Sequence, residues 1–145
     1  MPGVTYLGID HIDLRVPSLA AVEPFYDLLL PELGLTRKTH SVVDADGAWH
    51  DAPDGTPYNV SEYFEEPEPG AAARFVGIIE DPAMTINQTR VAFRVASEAA
   101  LSAWLPRLAE IGAASVEGES TGPYPALFFE DPCGTRLELC ARRAR

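Results

Sequence analysis

Residues 8–26 read GIDHIDLRVPSLAAVEPFY, and residues 89–105 repeat the same pattern as TRVAFRVASEAALSAWL. Both stretches begin with alternating apolar and polar residues, which is typical of a half-buried β-strand because successive side chains point to opposite faces. Both then pass through a serine into a segment with apolar residues at helical spacing. The repeat predicts a chain built from two copies of one structural module.

The polar faces of the two predicted strands differ at one position that matters for chemistry. Aligned by their apolar residues, the copies pair His11 with Arg90, Asp13 with Ala92, and Arg15 with Arg94. An imidazole can donate a lone pair to a metal ion. The guanidinium of Arg90 cannot, because it keeps its proton at any ordinary pH.

Each copy predicts the same order of elements, which is a strand, a helix and three short strands. The helices are predicted over residues 19–33 and 98–111, each after a serine and before a glycine that ends it. The short strands are predicted over residues 35–43, 58–65 and 74–80 in the first copy, and over residues 114–117, 126–130 and 136–140 in the second.

We expect a single co-folded domain, since one module could not cover both faces of its own sheet. Its first module spans about residues 5–80, its linker residues 81–88, and its second module about residues 89–141. The intervening segment DADGAWHDAPDGTP, residues 44–57, is rich in turn residues and is predicted to be a solvated loop.

Composition and charge exclude several classes of function. The 145 residues carry a formal net charge of −11, which would repel nucleic acid and anionic membrane surfaces. The first residues lack the pattern of a signal peptide, and no apolar run approaches the ~20 residues needed to span a bilayer. The two cysteines follow no zinc or redox spacing. We therefore expect a cytoplasmic protein that binds neither nucleic acid nor membrane.

Four segments resemble the vicinal oxygen chelate superfamily, which includes glyoxalases, bleomycin resistance proteins and extradiol dioxygenases. They are DHIDLRV (10–16), FYDLLLPELGL (25–35), RVAFRVAS (90–97) and FFEDPCGTRLELC (128–140). The resemblance covers nearly the whole chain. It implies an α+β fold in which two tandem βαβββ modules form one cupped, barrel-like mixed sheet with the helices outside. It also implies a small-molecule ligand in the cup and a homodimer.

The resemblance also implies where a metal ion would bind. In the family, the first and last strands of each module supply the ligands, and His11 and Glu138 occupy two such positions. Arg90 stands where the second module would supply its histidine. Gly77 takes the place of the first module's glutamate if its neighbours face the core. A divalent ion such as zinc, nickel, iron or manganese would thus find an incomplete set, and a protein without metal is the alternative.

A third metal ligand would decide between these alternatives, since a catalytic metal ion usually has about three protein ligands. Glu80 could supply it if its strand is bulged or its register differs, and His50 or Asp13 are further candidates. Without metal, Arg90 and Glu138 could instead form a charge-assisted ion pair that fills the vacated space.

Other residues of the polar face are candidates for catalysis or substrate binding. Asp13 and Glu138 could transfer protons, unless each is only a partner of a neighbouring arginine. Guanidinium groups could hold a carboxylate or phosphate of a ligand, and the candidates are Arg15, Arg90 and Arg94. The aromatic residues that could line the cup are Tyr63, Tyr124 and Phe128.

Three functions stay open at this point. The first is a glyoxalase- or dioxygenase-like protein that binds a small organic molecule, with a divalent metal acting as Lewis acid in a lyase or isomerase reaction. The second is a metal-free, bleomycin-type antibiotic-binding protein, for which the negative charge suits a cationic drug. The third is a metal-independent isomerase or lyase with Asp13 or Glu138 as base. Iron-dependent cleavage of catechols would need one more histidine than the pattern supplies.

Overall fold

The structure is a computed structural model that describes residue 3, residues 5–119 and residues 124–143. Its described part contains two helices and nine strands. In chain order they are β1 (His11–Val16), α1 (Leu19–Glu32), β2 (Arg37–Val43), β3 (Trp49–Asp51), β4 (Val60–Phe64), β5 (Phe75–Glu80), β6 (Arg90–Arg94), α2 (Glu98–Glu110), β7 (Ala114–Glu119), β8 (Ala126–Glu130) and β9 (Arg136–Cys140). Neither helix is long and apolar enough to cross a membrane.

The strands form two mixed sheets built on the same plan. The five-stranded sheet has the order β1-β5-β4-β2-β3, and the four-stranded sheet has the order β6-β9-β8-β7. In both, the first strand of a module lies beside its last strand, and β6 runs parallel to β9. The predicted α+β fold of two tandem modules is confirmed. The single merged sheet is not confirmed, because the strands are divided between two sheets.

The chain divides into two compact units that do not coincide with the two modules. Unit 1 comprises Met1–Arg15 and Leu30–Glu80, and unit 2 comprises Val16–Leu29 and Asp81–Arg145. Most of helix α1 therefore belongs to the unit that contains the second module's sheet. The single domain expected from the sequence stays a prediction.

Both helices begin and end in the same way, as expected for copies of one module. The hydroxyl of Ser18 accepts a hydrogen bond from the Ala21 N–H at 3.2 Å, and that of Ser97 accepts one from the Ala100 N–H at 3.1 Å. Gly34 and Gly112 follow the two helices with φ angles of 101° and 97°. Glycine adopts this left-handed conformation at little cost, so it ends each helix where the sequence predicts.

A hydrogen bond from Tyr26 connects helix α1 to the turn between β8 and β9. The Tyr26 hydroxyl donates a hydrogen bond of 2.7 Å to Asp131, which is only 1% exposed. The same carboxylate accepts hydrogen bonds from the N–H groups of Cys133 at 2.8 Å and Thr135 at 3.0 Å. Burial, reinforced by the charge of Asp131, raises the pKa of Tyr26 well above its ordinary value of 10.0. The tyrosine therefore stays a neutral donor.

The segment predicted as a loop contains the short strand β3. Asp44 organises the turn before it, since its carboxylate accepts hydrogen bonds from the N–H groups of Asp46 and Ala48 at 3.0 and 2.9 Å. The ring of His50 lies 2.9 Å from the same carboxylate, and this hydrogen bond lowers the pKa of Asp44. β3 has three exposed residues, too few to show a pattern of alternating polarity. The loop prediction was wrong at this point.

Candidate functional site

One face of the five-stranded sheet carries a row of polar side chains with a gap in the middle. Glu62 on β4 lies between Thr39 on β2 and Gly77 on β5, in direct register with both. A methyl group on Gly77 would lie 2.6 Å from a carboxylate oxygen of Asp13, which belongs to β1. The carboxylate of Asp13 therefore occupies the space that a side chain at position 77 would need.

His11 lies at the start of β1 among carboxylates. Its Nδ1 is 2.7 Å from Asp10, and its Nε2 is 3.7 Å from Asp13. The hydrogen bond to Asp10 is the main cause that raises the pKa of His11 above 6.5; partial desolvation opposes it, and the charges of Asp13, Asp10 and Glu62 add to it. With 42% of its side chain exposed, the imidazole is a hydrogen-bonded group that these carboxylates bias toward the cationic form.

A stack of three rings continues from His11 along the same sheet face. The ring of His11 lies parallel to that of Phe75, with centroids 4.4 Å apart, and Phe75 stacks on Phe64 at 4.6 Å. Phe64 and Glu62 also line a cavity of about 530 Å³ in unit 1. The other polar residues that line this cavity are Lys38, Thr39, His40, Ser41, Asp51 and Asp54. The hydroxyl of Ser41 donates a hydrogen bond to Glu62. The first sheet thus offers a polar row, an aromatic row and an adjoining cavity.

One face of the four-stranded sheet carries charged and aromatic side chains. Glu138 on β9 lies in register with Ala92 on β6 and with Phe128 on β8. The guanidinium of Arg90 lies over the ring of Phe128, with its central carbon 4.5 Å from the ring centroid. In the part of the chain that the structure describes, no ion pair joins Arg90 to Glu138. The pair anticipated from the sequence is thus replaced by a cation–π contact.

Two of the predicted site residues lie on the opposite face of the five-stranded sheet. Tyr63 is in register with Val76, the neighbour of Gly77, and is only 1% exposed, so it packs in the core. Glu80 comes three residues after Gly77, and the alternation of β5 points the two positions to opposite faces. The register of β4 and β5 is regular, so the bulge that would bring Glu80 round to the face of His11 is absent between them. Neither residue enters the site proposed below.

The remaining predicted residues are placed near the sheet edges. Arg15 and Arg94 follow the polar register of β1 and β6. Arg94 lies opposite Cys140. Burial and the charge of Glu138 raise the pKa of the Cys140 thiol, and the charges of Arg142 and Arg94 oppose this to a smaller extent. Tyr124 is about half exposed, and the guanidinium of Arg142 lies 4.0 Å from the centroid of its ring.

Sequence reasoning missed three residues that the structure brings to these faces. Glu62 and Ser41 lie beside the Gly77 gap, and Arg136 lies opposite Arg90. A signal for Arg136 was present, because it precedes Glu138 by two residues and therefore shares its face. The sequence contained no such signal for Ser41 and Glu62, because their pairing depends on the register between two strands.

The residues at the family's metal positions do not fit a resident divalent ion. Gly77 offers no donor, and the neighbouring carboxylate of Asp13 fills its space. Arg90 places a cation where the pattern needs a lone pair. Within residues 5–119 and 124–143, the structure groups no three histidine, cysteine, aspartate or glutamate side chains that could hold a metal.

Comparison with known families agrees with this geometry. The family model described as the Glyoxalase/Bleomycin resistance protein/Dioxygenase superfamily matches residues 8–139. The chain belongs to this superfamily, and the resemblance inferred from its sequence is confirmed. No curated protein matches the chain significantly.

Solved structures share the fold at low sequence identity. A glyoxylase/bleomycin resistance protein/dioxygenase domain from Frankia sp. EAN1pec has a TM-score of 0.64 at 18% identity, covering 96% of this chain and 100% of its own. A glyoxalase/bleomycin resistance protein from Albidiferax ferrireducens has a TM-score of 0.62 at 20% identity, covering 93% and 98%. The fosfomycin resistance protein FosX from Mesorhizobium loti has a TM-score of 0.55 at 14% identity, covering 96% and 95%. Identities this low support the fold and no particular activity.

Proposed function

We propose that this protein binds a small organic molecule on the polar faces of its sheets and does so without a resident divalent metal ion. The observation that carries the proposal is the position of Arg90. Its guanidinium lies over Phe128 at the place where the family's second module supplies a histidine. A permanent cation at that place repels a metal ion and attracts the oxygen atoms of a ligand.

The first sheet supports the same proposal independently. The hydrogen bond to Asp10 is the main cause that raises the pKa of His11, and the charge of Asp13 adds to it. The carboxylate of Asp13, which fills the space beside Gly77, lies 3.7 Å from the Nε2 atom of this histidine. Protonation of His11 competes with metal binding, because only the neutral imidazole has a lone pair to donate.

Membership of the superfamily and the nature of its solved relatives fit a ligand-binding role. The relative from Frankia is a glyoxylase/bleomycin resistance protein/dioxygenase domain, that from Albidiferax is a glyoxalase/bleomycin resistance protein, and that from Mesorhizobium is a fosfomycin resistance protein. We include in the proposal the homodimer and the cytoplasmic location that the sequence led us to expect. Sedimentation equilibrium checks the first of these.

A second candidate function is a metal-dependent lyase, isomerase or dioxygenase. The observation in its favour is that His11 and Glu138 match two of the family's ligand positions. Glu138 would then hold the metal or transfer a proton to the substrate. This candidate requires a third donor.

Elemental analysis of protein purified without chelator tests the proposal against the second candidate. We expect zinc, nickel, iron and manganese well below one ion per chain in the wild type, and no rise of its melting temperature when these ions are added. Stoichiometric metal that disappears in His11→Ala would contradict the proposal and favour the second candidate.

The role of Arg90 is tested by returning a donor to its position. We expect Arg90→His to bind added zinc or nickel and to gain thermal stability from it, because the family's position on β6 then carries a metal donor in place of a cation, on the strand beside the one that holds Glu138. Arg90→Ala is the matched control, since it removes the charge and adds no donor. Equal metal binding by the wild type and Arg90→His would show that Arg90 does not exclude the metal.

A further inference from the structure

We propose that the four-stranded sheet carries an oxyanion site formed by Arg90 and Arg136, which binds the carboxylate, phosphate or phosphonate group of a small organic ligand. The inference rests on the proposed function, since it names the group by which the ligand is held. It concerns unit 2 alone, which contains every residue involved.

The register of β6 and β9 brings two positive charges together. Arg90 and Arg136 are Cα partners in this parallel pair, and neighbouring strands lie only ~4.8 Å apart. Like charges directly opposite one another destabilise a sheet. Within the described residues, no carboxylate comes within 4.0 Å of either guanidinium. An anion bound between the two arginines would turn this repulsion into attraction.

A small cavity is lined by both arginines. Its volume is about 170 Å³, and Arg90, Arg136, Phe128 and Ser115 contribute to its lining. Since a water molecule takes ~30 Å³ in the liquid, the cavity has room for roughly five or six of them. This space suits a carboxylate, phosphate or phosphonate group with a few attached carbon atoms.

The cation–π contact prepares Arg90 to bind an anion. The guanidinium lies over the ring of Phe128 at 4.5 Å, so its plane is held while the N–H groups at its edge stay available. A planar fork of donors in a fixed orientation matches the two oxygen atoms of an oxyanion and loses little entropy on binding.

Two glutamates line the cavity as well, Glu117 on β7 and Glu130 on β8. Glu130 is the Cα partner of Arg136, so one row across the sheet carries Arg90, Arg136 and Glu130 in that order. The negative charge of Glu130 repels a bound anion toward the Arg90 side of Arg136. Ser115 adds a hydroxyl group at the β7 side, where a bulge interrupts the register and the serine backbone adopts a φ of 52°. Bulges re-aim side chains and recur next to binding sites.

Titration calorimetry with inorganic phosphate and with benzoate tests the site and distinguishes the two kinds of oxyanion. We expect at least one probe to bind the wild type in the presence of EDTA, and its affinity to fall about tenfold or more in Arg90→Gln and in Arg136→Gln, ~1.4 kcal/mol for each factor of ten. Arg107→Gln, which changes an arginine on α2 outside the cavity, is the matched control and should bind as the wild type does.

Thermal unfolding without ligand separates binding from folding. Removing either arginine relieves the like-charge contact but also loses a favourable one, with the Phe128 ring for Arg90 and with the charge of Glu130 for Arg136. The unliganded variants should therefore unfold cooperatively at temperatures close to that of the wild type. Absence of binding by both probes, unchanged affinity in both variants, or a loss confined to one of them would overturn the paired site. Metal content, measured on wild-type protein purified without chelator, reports on the proposed function separately.

Discussion

His11, at a position where the family has a metal ligand, lies among carboxylates that change its pKa. The hydrogen bond to Asp10, with the charges of Asp13 and Glu62, raises the pKa of this histidine above 6.5. Because the folded-state pKa is raised, the stabilisation is fully present below pH 6.5 and is lost as the pH rises through the folded-state value. At residue scale the first sheet therefore favours the cationic imidazole.

NMR titration of the His11 ring checks this interpretation. We expect a pKa above 6.5 in the wild type and a lower one in Asp10→Asn, because the hydrogen bond to Asp10 is the largest cause of the shift. Asp13→Asn is the comparison, and it should lower the pKa of His11 by less. An equal pKa in the wild type and Asp10→Asn would contradict the assignment.

The effect of Gly77→Ala on stability should change sign when the carboxylate of Asp13 is removed. Gly77→Ala would place a methyl group 2.6 Å from the Asp13 carboxylate, and we expect it to destabilise the protein by about 1 kcal/mol, at the low end of overpacking costs. In an Asp13→Ala background the clash is gone and the φ angle of Gly77 is not left-handed. The same change should there stabilise by about 0.4–1 kcal/mol, since alanine has less freedom to lose.

Urea denaturation of the four proteins of this double-mutant cycle provides the measurement. Gly118→Ala is the control, because its methyl group would meet only Leu127, at 3.4 Å. Its effect should be the same with and without Asp13. If Gly77→Ala were equally destabilising in both backgrounds, Asp13 would not occupy the space beside Gly77.

The residue-scale chemistry could be predicted only in part from the sequence. The polar registers of His11 and Arg90 follow from strand alternation, which needs no tertiary information. The neighbours of Arg90 could not be predicted, because they depend on the shift between strands. A plausible ion pair with Glu138 was therefore expected where the structure pairs Arg90 with Arg136 and Phe128.

At the scale of elements, helix α1 depends on one buried hydrogen-bond centre. Asp131 accepts hydrogen bonds from Tyr26 and from the N–H groups of Cys133 and Thr135. Tyr26→Phe removes one bond to a buried carboxylate and should cost about 1.5–3 kcal/mol of unfolding free energy. Asp131→Ala removes all three and should cost more.

Chemical denaturation of the three variants measures these costs, with Tyr124→Phe as the matched control. Tyr124 is 47% exposed, so the same loss of a hydroxyl should change the stability by less than about 0.5 kcal/mol. Equal effects of Tyr26→Phe and Tyr124→Phe would refute the importance of the buried centre.

The elements themselves were predictable where the signal is local. The two helices end within about a residue of the expected positions, because serine caps and left-handed glycines act on adjacent residues. The pairing of α1 with the turn at Asp131 was not predictable, since no local pattern records a partner 105 residues away.

At the scale of the whole molecule, the residues of the first module are divided between the two units. Helix α1 precedes the strands β2 to β5 in the chain, yet most of it lies in unit 2. Its buried face includes Phe25 and Tyr26, which contact Phe129 and Asp131. A cut between the modules would therefore leave the N-terminal piece holding a helix that belongs with the C-terminal piece.

Cleavage at a protease site inserted between the exposed residues Asn87 and Gln88 tests this arrangement. We expect the two pieces to stay associated after cleavage, because each large apolar side chain buried between them contributes ~1.5–3 kcal/mol. Separated in denaturant, neither piece should regain a cooperative unfolding transition alone, and mixing should restore it. Size-exclusion chromatography and circular dichroism follow both steps, and a cooperative transition of the isolated N-terminal piece would contradict the expectation.

The contact between Tyr26 and Asp131 also determines when helix α1 can be buried during synthesis of the chain. The two residues are 105 positions apart, and a growing chain is extended at ~5–20 residues per second, so the helix waits roughly 5–20 s for its partner to be translated. During that interval the apolar side of helix α1 faces solvent. Apolar surface exposed in this way during synthesis is what chaperones protect from aggregation, and translation of the turn at Asp131 allows the helix face to be buried.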